Sequence, residues 1–197
     1  NAVNDAPVNT VPNAQTVNED TNLTINGISV ADPDSASLKV TLSVNNGVLS
    51  LSGVTGLTFT NGDGTSDATM TFSGAIGSIN SALNGLVYRG NSNYNGSDTL
   101  TVVTSDEGST GIGGTLIDTD TVAITVNAVN DAPVNTVPAA QTVNEDTPLT
   151  FIAGANGISM DDVDSNTLKV TLSVTHGVLT LSGTSGLTFQ SGTGSSD

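Results

Sequence analysis

Positive charge is nearly absent from this chain: Lys39, Arg89 and Lys169 stand against 19 acidic residues, for a net charge of −16 over 197 residues. Nucleic acid and anionic membrane surfaces both need clustered Lys and Arg, so this composition disfavours either as a partner. Divalent cations are the natural counter-charge. Cysteine is absent too, which excludes a disulfide framework even if the protein works outside the cell. Tryptophan is missing and aromatics make up 3%, so a stacking platform for sugars has little to be built from. No stretch approaches the roughly 18 apolar residues of a membrane span, and no targeting leader is legible. Export is therefore expected to be encoded elsewhere in a longer chain.

What the chain does have is a copy of itself. NAVNDAPVNT at Asn1 to Thr10 returns unchanged at Asn127 to Thr136, and VNEDT at Val17 recurs at Val143. SLKVTLSV at Ser37 returns as TLKVTLSV at Thr167, and GLTF stands at both Gly56 and Gly186. The register is 126 residues as far as VNEDT and 130 beyond it, because LTINGIS lengthens to LTFIAGANGIS. A period of this size is a whole domain, not a solenoid unit, and it is long enough to bury its own core. The expected organisation is one domain over residues 1–126 and the N-terminal half of a nearly identical one over 127–197. Nothing in the second copy corresponds to Ala68 to Val126. The chain reads as a piece of a tandem array cut without regard to domain phase, with strand donation from another chain as the alternative.

Within the first copy, Leu38, Val40, Leu42 and Val44 alternate with Lys39, Thr41 and Ser43, the period of a half-buried strand. Asn46-Gly47 reads as a hairpin turn before Leu49 and Leu51. Leu57 with Phe59, then Met70 with Phe72, mark further strands. Ser78 is placed to cap a short helix carrying Ile79 and Leu83 on one face, with Gly85 to end it. Leu100 and Val102, then Val122, Ile124 and Val126, supply the closing strands. Short strands with turns every 8 to 12 residues predict an all-β, immunoglobulin-like or cadherin-like sandwich with one short helix per repeat.

The acids fall in turns and at junctions beside Asn and Gly. Asn4-Asp5 and Asn130-Asp131 lie in VNDAP, Glu19-Asp20 and Glu145-Asp146 in VNEDT, Asp32 with Asp34 and Asp162 with Asp164 in D-x-D pairs, and Asp106-Glu107 in TSDEG. Ca²⁺ takes 6 to 8 oxygen ligands and accepts amide and backbone carbonyls beside carboxylates, so such turns suit it. Asp and Asn also start turns on their own account, and Asp106 has that alternative reading within SDEG. Asp63 and Asp67 in NGDGTSD form a further acidic turn, read as a plain polar loop. In the second copy Thr193 replaces Asp63, while Asp67 is kept as Asp197.

At these residues the chain resembles cadherins, with VNDAPV in the place of their linker, ADPDS and DDVDS in that of D-A-D, and TSDEG in that of A-x-D-x-G. It is similar over its whole length to the bacterial cadherin-like repeats of giant RTX adhesins and biofilm-associated surface proteins, which share VNDAP, VNEDT, ALNGLVY, NYNGSDTLTV and SDEG. The linker lacks the family's first Asp and last Asn, and the L-D-R-E glutamate has no counterpart. The resemblance implies Ca²⁺ at the junctions between neighbouring repeats. Carried over residue by residue, one junction draws Glu19, Asn130, Asp131, Asp162 and Asp164. An upper one draws Asn4, Asp5, Asp32, Asp34 and Asp106, completed by a preceding domain. Asp20, Glu107 and Asp146 are second choices, and Glu145 serves a further junction.

No catalytic constellation competes with this. His176 is the only histidine and sits in the turn THG, an exposed position. GIGG at Gly111 to Gly114 is no phosphate loop, because no helix follows to supply the N-terminal amides such loops use. Asn22-Leu23-Thr24 is a glycosylation sequon to which a bacterial resemblance gives little weight, and Asn95-Gly96-Ser97 is not counted as one. The function implied is non-enzymatic: a calcium-rigidified extender on the bacterial cell surface, projecting an adhesive region for adhesion or biofilm formation. Its partners are neighbouring repeats, without nucleic acid or membrane insertion. The alternative is a subunit of a self-assembling extracellular fibre or sheath.

Overall fold

The computed structural model describes residues 3–108 and 111–196. Asn1, Ala2 and Asp197, which belong to repeated wording noted above, lie outside the described residues. The chain divides into two compact units, residues 1–130 and 131–197.

Unit 1 is built from β1 (Val8–Thr10), β2 (Gln15–Asn18), β3 (Asn22–Ile25), β4 (Ser29–Ala31), β5 (Ser37–Ser43), β6 (Gly47–Ser50), β7 (Leu57–Asn61) and β8 (Thr69–Ala75). After α1 (Ile76–Leu83) come β9 (Leu86–Gly90), β10 (Gly96–Ser105) and β11 (Ile117–Asn127). The two-residue period of β5, with Leu38, Val40 and Leu42 buried, puts one of its faces on the core and the other in solvent. A six-stranded sheet runs β2-β11-β10-β5-β8-β7, a three-stranded one β3-β9-β6, and β1 pairs with β4. Between the layers lie Ile25, Leu49, Phe72, Leu86, Tyr88 and Leu100, all fully buried. This is the all-β, immunoglobulin-like sandwich with one short helix that the strand spacing predicts.

Two local expectations are corrected. Asn46-Gly47 does not close a hairpin: β5 belongs to the six-stranded sheet and β6 to the three-stranded one, so the chain changes layer there. The crossing is held because Asn45 and Asn46 donate their amides to the Asp98 carboxylate, each at 3.0 Å. Gly47 is required there by packing, since a Cβ would fall 2.6 Å from the Tyr88 ring. The helix also starts earlier than Ser78. It opens at Ile76 behind Ala75, which offers no side-chain cap, because β8 stays paired with β5 as far as Ala75 opposite Ser37. Gly85, at φ 85°, ends it as expected.

In unit 2, β12 (Val134–Thr136) pairs with β13 (Ser159–Asp161) in the register that β1 and β4 use, Asn135 opposite Met160 as Asn9 is opposite Val30. Among the described residues this is the whole of its sheet structure. Leu168 to Val174, which repeats the wording of β5, is not a strand, and neither is Val178 to Leu181. Val170, Leu172 and Val174 are 48%, 46% and 48% exposed. In unit 1 the equivalent β5 is hydrogen-bonded on both sides, by β8 and β10, and residues 131–196 contain no sequence equivalent to either.

Candidate metal centre

In unit 1 the N-terminal segment meets the two acidic turns expected to share an ion with it. The Asp5 amide donates to Asp34 Oδ2 at 2.7 Å. Asp34 and Ser35 donate their own amides to Asp32 Oδ1 at 2.8 and 2.7 Å, a turn in which the first carboxylate fixes the second. Asp32 Oδ2 is buried without a hydrogen-bond donor, and so is Ser35 Oγ. A buried carboxylate oxygen left in this state is costly unless a cation or donor meets it.

Asp106 sits beside Asn4 and is fully buried, with Asn4 5% exposed. The Asn4 amide donates to Asp106 Oδ2 and to the Gly114 carbonyl. Gly108 and Leu116 donate backbone amides to Asp106 Oδ1 at 2.8 and 2.9 Å. Burial works to raise this carboxyl, but the Leu116 and Gly108 amides and the Asn4 side chain outweigh it, holding its pKa below the ordinary carboxylate value. Asp106 thus organises the loop from β10 to β11 and anchors the N-terminal segment, so its turn reading holds alongside its contact with Asn4.

Glu19 and Asn130 lie at the other pole of unit 1. Glu19 is 4% exposed, and its Oε1 accepts the Val129 amide at 2.6 Å while its own amide donates to the Asn127 carbonyl at 2.9 Å. Glu19 thereby clamps the outgoing chain, with Asn130 exposed just beyond it. Of the second choices in this unit, Asp20 accepts the Asn93 amide at 3.3 Å and Glu107 pairs with Lys39 at 3.0 Å on the surface.

Unit 2 repeats the first turn. The Asp131 amide donates to Asp164 Oδ2, and Asp162 Oδ1 accepts the Asp164 and Ser165 amides at 3.0 and 2.9 Å. Linker amide to second Asp, and first Asp to the following two amides, is thus one design in both copies. Among the described residues no group of three or more Asp, Glu, His or Cys side chains is gathered as a metal cluster. Each turn contributes two carboxylates, and the remaining oxygens must come from Asn, backbone or water.

One carboxylate escaped sequence reading. Asp98, 4% exposed, accepts amides from Asn45, Asn46 and Thr99 and the Tyr88 hydroxyl at 2.9 Å. It ties the layer crossing to β9 and β10, and burial, then this bond, push the Tyr88 phenol up. As a single acid in NYNGSD it looks like any turn residue. The signal was Tyr88 in the alternating LVYRG strand, a buried hydroxyl in need of an acceptor.

Comparison with known proteins gives a family match. Residues 24–112, less than half of the chain, match the model of the "Protein GAMETE EXPRESSED 2 domain". This overturns the resemblance to bacterial RTX adhesin repeats and the biofilm setting that came with it, since the matching family is one of eukaryotic gamete proteins. The physical reason is visible in the turns. VNDAP, VNEDT and SDEG are Asp, Asn, Gly and Pro wording, and here it serves local turns and clamps that many sandwiches need. The match is in keeping with a secreted or extracellular protein, and no helix among the described residues is long and apolar enough to cross a membrane. No curated protein matches. Among solved structures, a cohesin module from a Clostridium perfringens family 33 glycoside hydrolase is similar at 12% identity, covering 64% of this chain and 100% of that one with a TM-score of 0.35.

Proposed function

We propose that this chain is a non-catalytic spacer of an extracellular protein, its sandwich repeats stiffened by Ca²⁺ taken up at the D-x-D turns beside each linker. The observation that carries the reading is the turn itself. The same linker-to-carboxylate hydrogen bonds recur at Asp5 with Asp34 and at Asp131 with Asp164, and in unit 1 they leave Asp32 Oδ2 buried without a donor. Calcium chemistry fits an all-oxygen donor set of this kind. The residues that would hold the ion are Asp32 and Asp34 in unit 1 and Asp162 and Asp164 in unit 2, with Asn and backbone carbonyls beside them. The bound ion supplies charge neutralisation. Without it, two carboxylates about 4 Å apart repel by on the order of 1 kcal/mol in water-like surroundings.

Calcium titration followed by calorimetry tests this. The expected result is saturable uptake with a dissociation constant of about 10⁻⁴ to 10⁻³ M, lost in Asp34→Ala combined with Asp164→Ala. Uptake unchanged in that double variant contradicts the assignment.

A second reading, an extracellular fibre whose units complete one another by donated strands, is favoured by the exposed apolar residues Val170, Leu172 and Val174 in unit 2. Equilibrium sedimentation separates it from the spacer. A fibre subunit associates with rising concentration, while a spacer stays monomeric.

A further inference from the structure

Asn22 and Asn95 each begin an Asn-x-Thr/Ser triplet, Asn22-Leu23-Thr24 and Asn95-Gly96-Ser97. The second fits the acceptor rule as well as the first, which corrects its omission above. Asn22 opens β3, an outer strand of the three-stranded sheet. Its burial alternates along the strand, with Asn22 and Thr24 exposed and Leu23 partly buried, so the acceptor amide and the hydroxyl two residues on share the solvent face. Asn95 lies in the turn before β10, and Asn95, Gly96 and Ser97 are all exposed. The turn is held by its neighbours, the Tyr94 amide donating to the Asn91 carbonyl and the Tyr94 hydroxyl to the Ser97 carbonyl. Other asparagines are committed to the fold, as Asn80 is to both backbone groups of Val30; Asn22 and Asn95 are not tied in this way.

Both triplets stand at one pole. The Asp20 carboxylate, two residues before Asn22, accepts the Asn93 amide two residues before Asn95, and Gly96 pairs with Val126 near the end of β11. The second copy carries Pro148 where the first has Asn22, so this acceptor belongs to unit 1 alone.

We infer that Asn22 and Asn95 are N-glycan acceptor sites, modified in a eukaryotic secretory pathway. The inference rests on the extracellular reading and on the gamete-family match. The co-reactant is a lipid-pyrophosphate-linked oligosaccharide supplied by that pathway. The asparagine side-chain nitrogen bonds to the first carbon of the sugar, the bond from that carbon to the pyrophosphate oxygen breaks, the lipid pyrophosphate leaves with the electron pair, and one amide proton goes to base. Bulky, solubilising sugar then covers the outer face of β3 and the neighbouring turn.

The test is to direct the whole chain into the lumen of a eukaryotic secretory host with a cleavable leader and recover it from the medium. It is then deglycosylated enzymatically in ¹⁸O-water and read by mass spectrometry. Conversion of both Asn22 and Asn95 to heavy-oxygen Asp is expected, with Asn22→Gln and Thr24→Ala each removing one glycan step in gel mobility and Thr24→Ser restoring it. Secreted chain with unconverted Asn22 or Asn95 overturns the assignment of that residue. Calcium binding by the same deglycosylated sample reports on the spacer reading independently.

Discussion

Asp98 and Asp106 show how single carboxylates fix this sandwich by gathering backbone amides. Removing Asp98 strands the Asn45 and Asn46 amides and the Tyr88 hydroxyl, of which the last is wholly buried. An unsatisfied buried donor costs about 1–3 kcal/mol, so Asp98→Ala is expected to lower unfolding free energy by about 3 kcal/mol or more, read from urea denaturation. Gly47→Ala, which drives a Cβ against Tyr88, is expected to cost about 1–3 kcal/mol in the same measurement. Asp106 sets a pH response. Its folded pKa is held below the ordinary value, so the stability it contributes is present above the unfolded carboxylate pKa of about 3.9 and is lost as pH falls through the lower folded pKa. Melting profiles from pH 6 downward, for the chain and for Asp106→Asn, check this: the variant is expected to have a flatter acid limb. At this scale legibility was uneven. The acids of the D-x-D turns stand out by their spacing, but Asp98 does not, because the Asn45 and Asn46 amides and the Tyr88 hydroxyl come from two places that the local sequence does not join.

The elements were legible where a period governs them. β5, β8, β10 and β11 follow from two-residue alternation, and the buried Ile79 and Leu83 of α1 from helical spacing. What alternation does not encode is which sheet a strand joins, so Asn46-Gly47 looked like a hairpin although it changes layer. The same limit hid the role of α1 toward β4. Asn80 reaches from the helix to both backbone groups of Val30, at 2.8 and 3.0 Å, as a pairing strand does. Asn80→Ala is therefore expected to destabilise by about 2 kcal/mol through two lost bonds at a part-buried strand. Ala75, the uncapped helix start, offers the opposite sign. Ala75→Asp or Ala75→Ser is expected to stabilise by about 1 kcal/mol, seen as a higher thermal midpoint.

At the scale of the whole molecule, a strongly acidic chain carries the same carboxylate turn twice, once in a closed sandwich and once in a unit whose sheet structure, among the described residues, is a single two-stranded pair. The duplication was plain in the sequence. That the second copy of β5 stays unpaired follows from hydrogen bonding that a strand cannot make alone. The central claim is that calcium binds the folded turns and so stabilises the fold, and thermal melting of the whole chain with excess calcium and with a chelator tests it most directly. Ligand at a hundredfold excess over its dissociation constant, bound only by the folded form, adds about 2.7 kcal/mol per site, so a clear upward shift in midpoint is predicted, absent in Asp34→Ala combined with Asp164→Ala. Coincident melting curves in calcium and in chelator contradict the account.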